Sequence, residues 1–339
     1  MPLRAPTPPS ADADPSGADP SAIVGVATGY MAAKQLFAAS EAGLFAALAD
    51  GPADAAGIAE RAGIPERAAR ILGDAMAACG LLVRADGRYA NSPAAAAHLA
   101  GGGDLDLRPF LAFLDSISYG HWLGFAETVR TAEPRPLDLA GARMDAFLGG
   151  VMTYNALHAR MLARCFDFTP FARVLDLGGL SGSFLAEALR AAEKARGVFA
   201  SGGELVEFAR KVMVDAGVGD RVEVLQTDPV DGELPGGFDL VLLEHVVHRY
   251  DAEQNRAIIR RAREAAADGG TLVLLDFFLD DDPEQRLLDA VHAGEYLVID
   301  GTVVHPEAEV RGWLADAGWT PVETRALPGS PRIIIAEAR

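Results

Sequence analysis

From residue 171 onward, short apolar runs alternate with segments whose apolar positions recur at helical spacing. Runs at 174–177, 198–199, 222–225, 238–243 and 270–276 read as strands. Segments 203–216, 251–267, 283–299 and 306–317 read as helices. This alternation predicts a mainly parallel sheet covered by helices on both faces. Two last runs, 320–324 and 332–337, flank Pro328-Gly329 and predict a closing antiparallel hairpin. The first part of the chain is patterned differently. Residues 21–50 are helical in pattern through Val24, Ala27, Met31, Leu36, Phe37, Leu44, Phe45 and Leu48. Two short helices follow, broken at Gly63-Ile64-Pro65, and then a hairpin turning at Asp86-Gly87. Helix-turn-helix plus hairpin is a winged-helix pattern.

Residues 105–168 are mostly helical, with aromatic and polar side chains mixed in. Phe113, Tyr119, Trp122, Met152, Tyr154, Asn155 and His158 are together the best candidates for the wall of an apolar, aromatic small-molecule pocket. Taken singly, most would serve only to pack helix against helix. The division expected is a disordered tail over 1–20, a winged-helix domain over 21–103, a helical linker and pocket wall over 104–170, and the α/β domain over 171–339.

Composition narrows the partners. A formal charge of −18 disfavours nucleic acid or an anionic membrane, so the winged helix reads as a dimerisation module before a DNA reader. No run approaches ~18 consecutive apolar residues, so no membrane span is expected. The Pro/Ala/Asp-rich N-terminus lacks the layout of a signal peptide, and a cytoplasmic location follows as the default. The only cysteines, Cys79 and Cys165, argue against a disulfide framework or a cysteine metal site.

The chemistry centres on Arg173 to Arg190, where strand 174–177 meets Gly178, Gly179 and Gly182 and then a helix. Such turns bring backbone close to a ligand at the carboxyl end of a strand. The spacing is neither G-x-G-x-x-G nor G-x-x-x-x-G-K-[ST]. It resembles motif I of S-adenosylmethionine (SAM) dependent methyltransferases, D-x-G-G-G-x-G, with Leu180 at the middle glycine. Residues 239–253, ending in Val246-Val247-His248-Arg249-Tyr250-Asp251-Ala252-Glu253, resemble the D-x-x-x-L-x-x-x-L-H-D-W-x-D-E motif of one family. This is the O-methyltransferase family with an N-terminal winged-helix dimerisation domain, of plant phenolic and bacterial polyketide pathways. Gly269-Gly270 and the stretch 309–319 agree with it.

The resemblance implies a Rossmann-like α/β methyltransferase sheet behind a mostly α-helical dimerisation domain, in a homodimer acting on a small molecule. It implies SAM held by Asp176, Gly178, Gly179, Gly182 and Asp228, with transfer to a hydroxyl of an aromatic or polyketide-like metabolite. His248 falls at the catalytic-base position, and Glu309 at that of the carboxylate that orients the base. Several positions depart from the family pattern. Ala200 stands where a ribose-binding Asp is expected, with Glu204 as a substitute only if the loop is rearranged. Glu244 replaces a lysine, Arg249-Tyr250 replaces Asp-Trp, and His305-Pro306 replaces Arg-Thr. The departures leave an alternative open: a repurposed enzyme that no longer uses SAM and performs hydroxylation, cyclisation or rearrangement. One form of it places non-haem iron between His248, His292 and Glu295, the last two sharing a helix face.

Overall fold

The computed structural model describes residues 19–203, 205–280 and 285–339. Most of the expected tail, and Glu204, lie outside them. The chain divides into two compact units: residues up to Ile117 with Ala140–Thr153, and Ser118–Leu139 with Tyr154–Arg339. The segment 104–170, expected as one linker, is thus shared between the two.

The first unit opens with α1 (Ser21–Glu41), which ends where Gly43 takes a left-handed φ of 73°. Helices α2 (Ala55–Ala62) and α3 (Glu66–Ala78) follow, then strands β1 (Leu82–Ala85) and β2 (Arg88–Asn91), α4 (Pro93–His98) and α5 (Arg108–Phe113). Asp54 caps α2 by accepting from the Gly57 amide at 2.8 Å, and Gly63 closes it in the left-handed region. Asp86 and Gly87 both have positive φ, as the two-residue hairpin turn requires. Phe45, Leu48, Ile58, Met76 and Tyr89 form the core. By length and composition α1 could cross a membrane, yet its apolar side chains are largely bare, with Ile23 74% and Val26 85% exposed.

The second unit contains α6 (Tyr119–Trp122), α7 (Phe125–Thr131) and the later half of α8 (Ala142–Cys165). Strand β3 (Arg173–Leu177), α9 (Ser183–Ala191), β4 (Arg196–Ser201), α10 (Leu205–Asp215) and β5 (Val222–Gln226) come next. They are followed by β6 (Phe238–Glu244), α11 (Ala252–Ala265), β7 (Ala266–Asp276), α12 (Leu287–Ile299) and α13 (Glu307–Asp316). Strands β8 (Trp319–Ala326) and β9 (Arg332–Ala338) close the chain as the expected antiparallel hairpin. The sheet order is β5-β4-β3-β6-β7-β9-β8. Strands β3 to β7 are mutually parallel and β9 pairs antiparallel to β7.

Alternate residues of the central strands feed two cores. Leu175, Leu177, Val241 and Leu243 pack with Ile258, Ile259, Trp313 and Trp319. Val174, Leu240 and Leu242 pack with Phe184, Leu185 and Leu189 on the other face. Trp319 is fully buried and its Nε1 donates to the Ile259 carbonyl at 3.2 Å. Trp319→Ala is expected to cost about 3–5 kcal/mol in denaturant unfolding; a loss under about 1 kcal/mol would mean this core does not hold the sheet. The winding reverses between β3 and β6, and the ends of strands at such a switch point leave a crevice for a ligand.

Candidate active site

Strand β6 ends at Glu244, and the next residue, His245, takes φ 54°, a conformation costly for a residue with a Cβ. Its amide donates to the Leu275 carbonyl at 2.9 Å, so the turn is tied to β7. A short 3-10 turn, Val247–Arg249, then carries His248. The buried Asn255 amide holds that turn by donating to the carbonyls of Val247 and Tyr250, each at 2.9 Å. From the other side the Val303 amide donates to the His248 carbonyl at 3.2 Å.

His248 Nδ1 lies 3.0 Å from both carboxylate oxygens of Asp276, the last residue of β7. Burial pushes the Asp276 carboxyl up, but the field of His248 and its hydrogen bond outweigh this and hold the group below its ordinary range. An ionised carboxylate only accepts, so in the neutral ring the proton sits on Nδ1 and the lone pair on Nε2. Tyr296 stacks on the ring with centroids 4.3 Å apart and fixes its plane. A histidine held in one tautomer by a buried carboxylate is a prepared general base. The carboxylate assigned to Glu309 is corrected here. Glu309 is exposed on the first turn of α13, and Asp276 is the partner.

More imidazoles surround this dyad. His158, fully buried on α8, places Nδ1 2.8 Å from His245 Nε2. Burial holds His158 well below the usual imidazole range and His245 down to about 3. Both are therefore neutral. His292 Nδ1 donates to the Leu288 carbonyl at 2.7 Å, so its Nε2 accepts from the Tyr154 hydroxyl at 3.1 Å. Phe277 stacks on His292 at 3.9 Å. The wall of this site is thus an aromatic one, in which the hydrogen bonds of His292 fix its ring edges.

The iron set His248, His292 and Glu295 does not assemble. Glu295 accepts from Ser118 Oγ at 2.9 Å and Trp122 Nε1 at 2.5 Å, while His292 is turned to Tyr154. Among the described residues, the set close enough to share an ion is His245, His248 and Asp276. Of the expected pocket wall, Phe113 and Met152 belong to the first unit, where Phe113 packs edge-on against Phe147. Tyr119, Trp122, Tyr154, Asn155 and His158 belong to the second. The Asn155 carbonyl oxygen accepts from the Ser181 hydroxyl and so braces the glycine turn.

In that turn Gly178 has φ 77°, and its amide donates to the Ala200 carbonyl at 2.7 Å; Gly182, at φ 69°, begins α9. Beneath it lie two carboxyls, Asp176 at the end of β3 and Glu244 at the end of β6, 0% and 2% exposed. All four of their oxygens are buried, and beyond the partner carboxyl and the backbone of the turn no donor serves them. Burial pushes Asp176 up to about 6, and burial together with Asp176 pushes Glu244 well above the carboxylate range, so the pair keeps one proton. Gly179 is needed there, because a Cβ would overlap Asp176 Oδ1 and stand 3.0 Å from Glu244 Oε1. Arg249 is half-buried beside them, its guanidinium donating to the Gly178 carbonyl and, at 2.7 Å, to that of His245. Leu180 is half-buried and Ala200 fully buried. Asp228 is exposed after β5 and accepts from the Val230 amide at 2.7 Å.

Comparison with known proteins agrees with this geometry. A family model described as the O-methyltransferase domain matches residues 140–320, and one described as the O-methyltransferase dimerisation domain matches 24–101. The chain is 33% identical over 330 residues to a 3-hydroxy-5-methyl-1-naphthoate 3-O-methyltransferase of Streptomyces sahachiroi, covering 94% of this chain and 96% of that one. It is 30% identical over 326 residues to the tetracenomycin polyketide synthesis 8-O-methyl transferase TcmO of Streptomyces glaucescens, covering 93% and 96%. Among solved structures it resembles the S-adenosylmethionine-dependent methyltransferase SibL in its apo form, with TM-score 0.82, 29% identity and coverage of 94% and 99%. With a family model over more than half of its length and relatives spanning nearly all of it, the chain belongs to the O-methyltransferase family.

Proposed function

We propose that this enzyme methylates a hydroxyl group of an aromatic, polyketide-like small molecule, using SAM, as a cytoplasmic homodimer in secondary metabolism. The observation that carries the reading is the His248–Asp276 dyad, which leaves His248 Nε2 unprotonated beside an aromatic wall. Two relatives that span nearly the whole chain are named for methylation of hydroxyls on a naphthoate and on a tetracenomycin polyketide, which supports the acceptor class.

The residues fit the cofactor at its charged end. Two buried carboxyls with a single proton between them, under a glycine where a Cβ would overlap Asp176, suit a ligand carrying positive charge. Gly178, Gly179 and Gly182 would line it, and Asp176 and Glu244 would face its charge. When bound, SAM supplies a methyl group on a sulfonium. His248 Nε2 receives the proton that the acceptor hydroxyl sheds. Asp276 stabilises the imidazolium that results, and Tyr296 keeps the ring in plane. The aromatic rings of Tyr296, His292 and Phe277 packed around His248 suit a planar aromatic acceptor. The test is turnover of hydroxylated polycyclic aromatics with methyl-labelled SAM. Label in an ether product supports the reading, and an acceptor transformed equally without SAM overturns it.

A second reading rests on one observation. The Arg249 guanidinium already occupies the Gly178 carbonyl, which favours the SAM-independent enzyme left open by the sequence. Equal turnover with and without SAM is its signature.

The homodimer reading is supported by the match to the dimerisation domain and by the bare apolar face of α1. Light scattering after size exclusion is expected to give the mass of two chains. Ile23→Asp with Val26→Asp is expected to shift it to one. A wild-type monomer at all concentrations would refute the dimer.

A further inference from the structure

We propose that Glu244, paired with Asp176, receives the α-ammonium group of SAM, and that this docking drives one proton off the pair. The inference rests on the cofactor reading above and adds to it a residue and a proton. The two carboxyls sit at the carboxyl ends of β3 and β6, on either side of the point where the winding reverses. Their four oxygens are buried, and beyond the proton the pair shares and the backbone of their own turn no donor serves them, an expensive arrangement unless a further donor arrives. The neighbouring cation does not supply one, since Arg249 directs its bonds to the carbonyls of Gly178 and His245. A sulfonium has no N–H to give, whereas an ammonium has three, so the ammonium is the complementary group.

In the free protein the two buried carboxyls cannot both ionise at low cost, and a proton stays on Glu244. The charged groups facing it are Asp176 and Arg249. A docked ammonium replaces the proton's charge. Glu244 goes from carboxylic acid to carboxylate, the proton leaves to solvent, and no bond of the cofactor changes. Affinity therefore rises with pH until the free pair has lost its proton.

Calorimetric titration of the full-length protein with SAM, and separately with S-adenosylhomocysteine, would test this in two buffers of different ionisation enthalpy near neutral pH. Both ligands keep the ammonium, so each is expected to release about one proton per chain. Glu244→Gln is expected to release almost none and to bind roughly tenfold more weakly, with its fold checked by thermal melting. Binding to the wild type without proton release would overturn the proposal alone, as would unchanged release from the variant. Absence of any binding to the wild type would overturn the cofactor reading as well.

Discussion

Replacing His248 with alanine is expected to slow methyl transfer roughly 10²–10⁴-fold while leaving SAM binding intact. The size follows from the proposed role, in which the imidazole takes the acceptor proton while the glycine turn, not His248, holds the cofactor. The loss should fall on kcat more than on KM. Asp276→Asn is expected to produce a loss of the same order for a different reason. A carboxamide can turn its NH₂ toward Nδ1, which would place the proton on Nε2 and leave no base. An Asp276→Asn enzyme with near wild-type rate would show that the tautomer is not set by Asp276. Glu309→Gln, by contrast, is expected to change little, because Glu309 is exposed and Asp276 already holds the base.

The second large effect concerns the glycine turn. Gly179→Ala would drive a Cβ into Asp176 Oδ1 and against Glu244 Oε1, so the ends of these two buried side chains would have to shift. The overlap should cost about 1–3 kcal/mol of stability and displace the carboxyls of Asp176 and Glu244, which are proposed to face the cofactor. SAM binding is expected to weaken at least roughly tenfold. Gly312→Ala, on α13, is the control: open space surrounds it, and alanine favours the helix by roughly 1 kcal/mol or less. Wild-type affinity in Gly179→Ala, measured by calorimetry, would remove the carboxyl pair from the cofactor site.

The fold was legible because its signals are local and periodic. Apolar runs at 238–243 and 270–276 were read as buried strands, and they are β6 and the end of β7. The hairpin at Asp86-Gly87 was legible from turn chemistry alone, since both residues need positive φ. The helix expected over 21–50 stops early because Gly43 enters the left-handed region after Glu41.

The site was legible where a motif names a residue and obscure where contact depends on register. His248 was found by its place after β6. Asp276 was missed, although an acid closing a buried apolar strand is itself unusual. Only the pairing of β6 with β7, with Glu244 opposite Leu275, brings it beside the histidine turn. Asn255 was likewise missed: it lies on the apolar face of α11, three and four residues before Ile258 and Ile259. A buried amide there has to have partners, and they are the carbonyls of the turn that carries His248. The iron set failed because side chains on one helix face can turn apart, as Glu295 does toward Ser118 and Trp122.

Leu180, Ala200 and Arg249 are the residues on which the family chemistry is most exposed to contradiction, since all three lie at the glycine turn or its neighbouring strand ends. The most direct measurement is therefore a native mass spectrum of the purified protein with and without excess SAM. The account predicts one cofactor mass per chain, displaced by S-adenosylhomocysteine. A protein that stays bare at saturating SAM would contradict it.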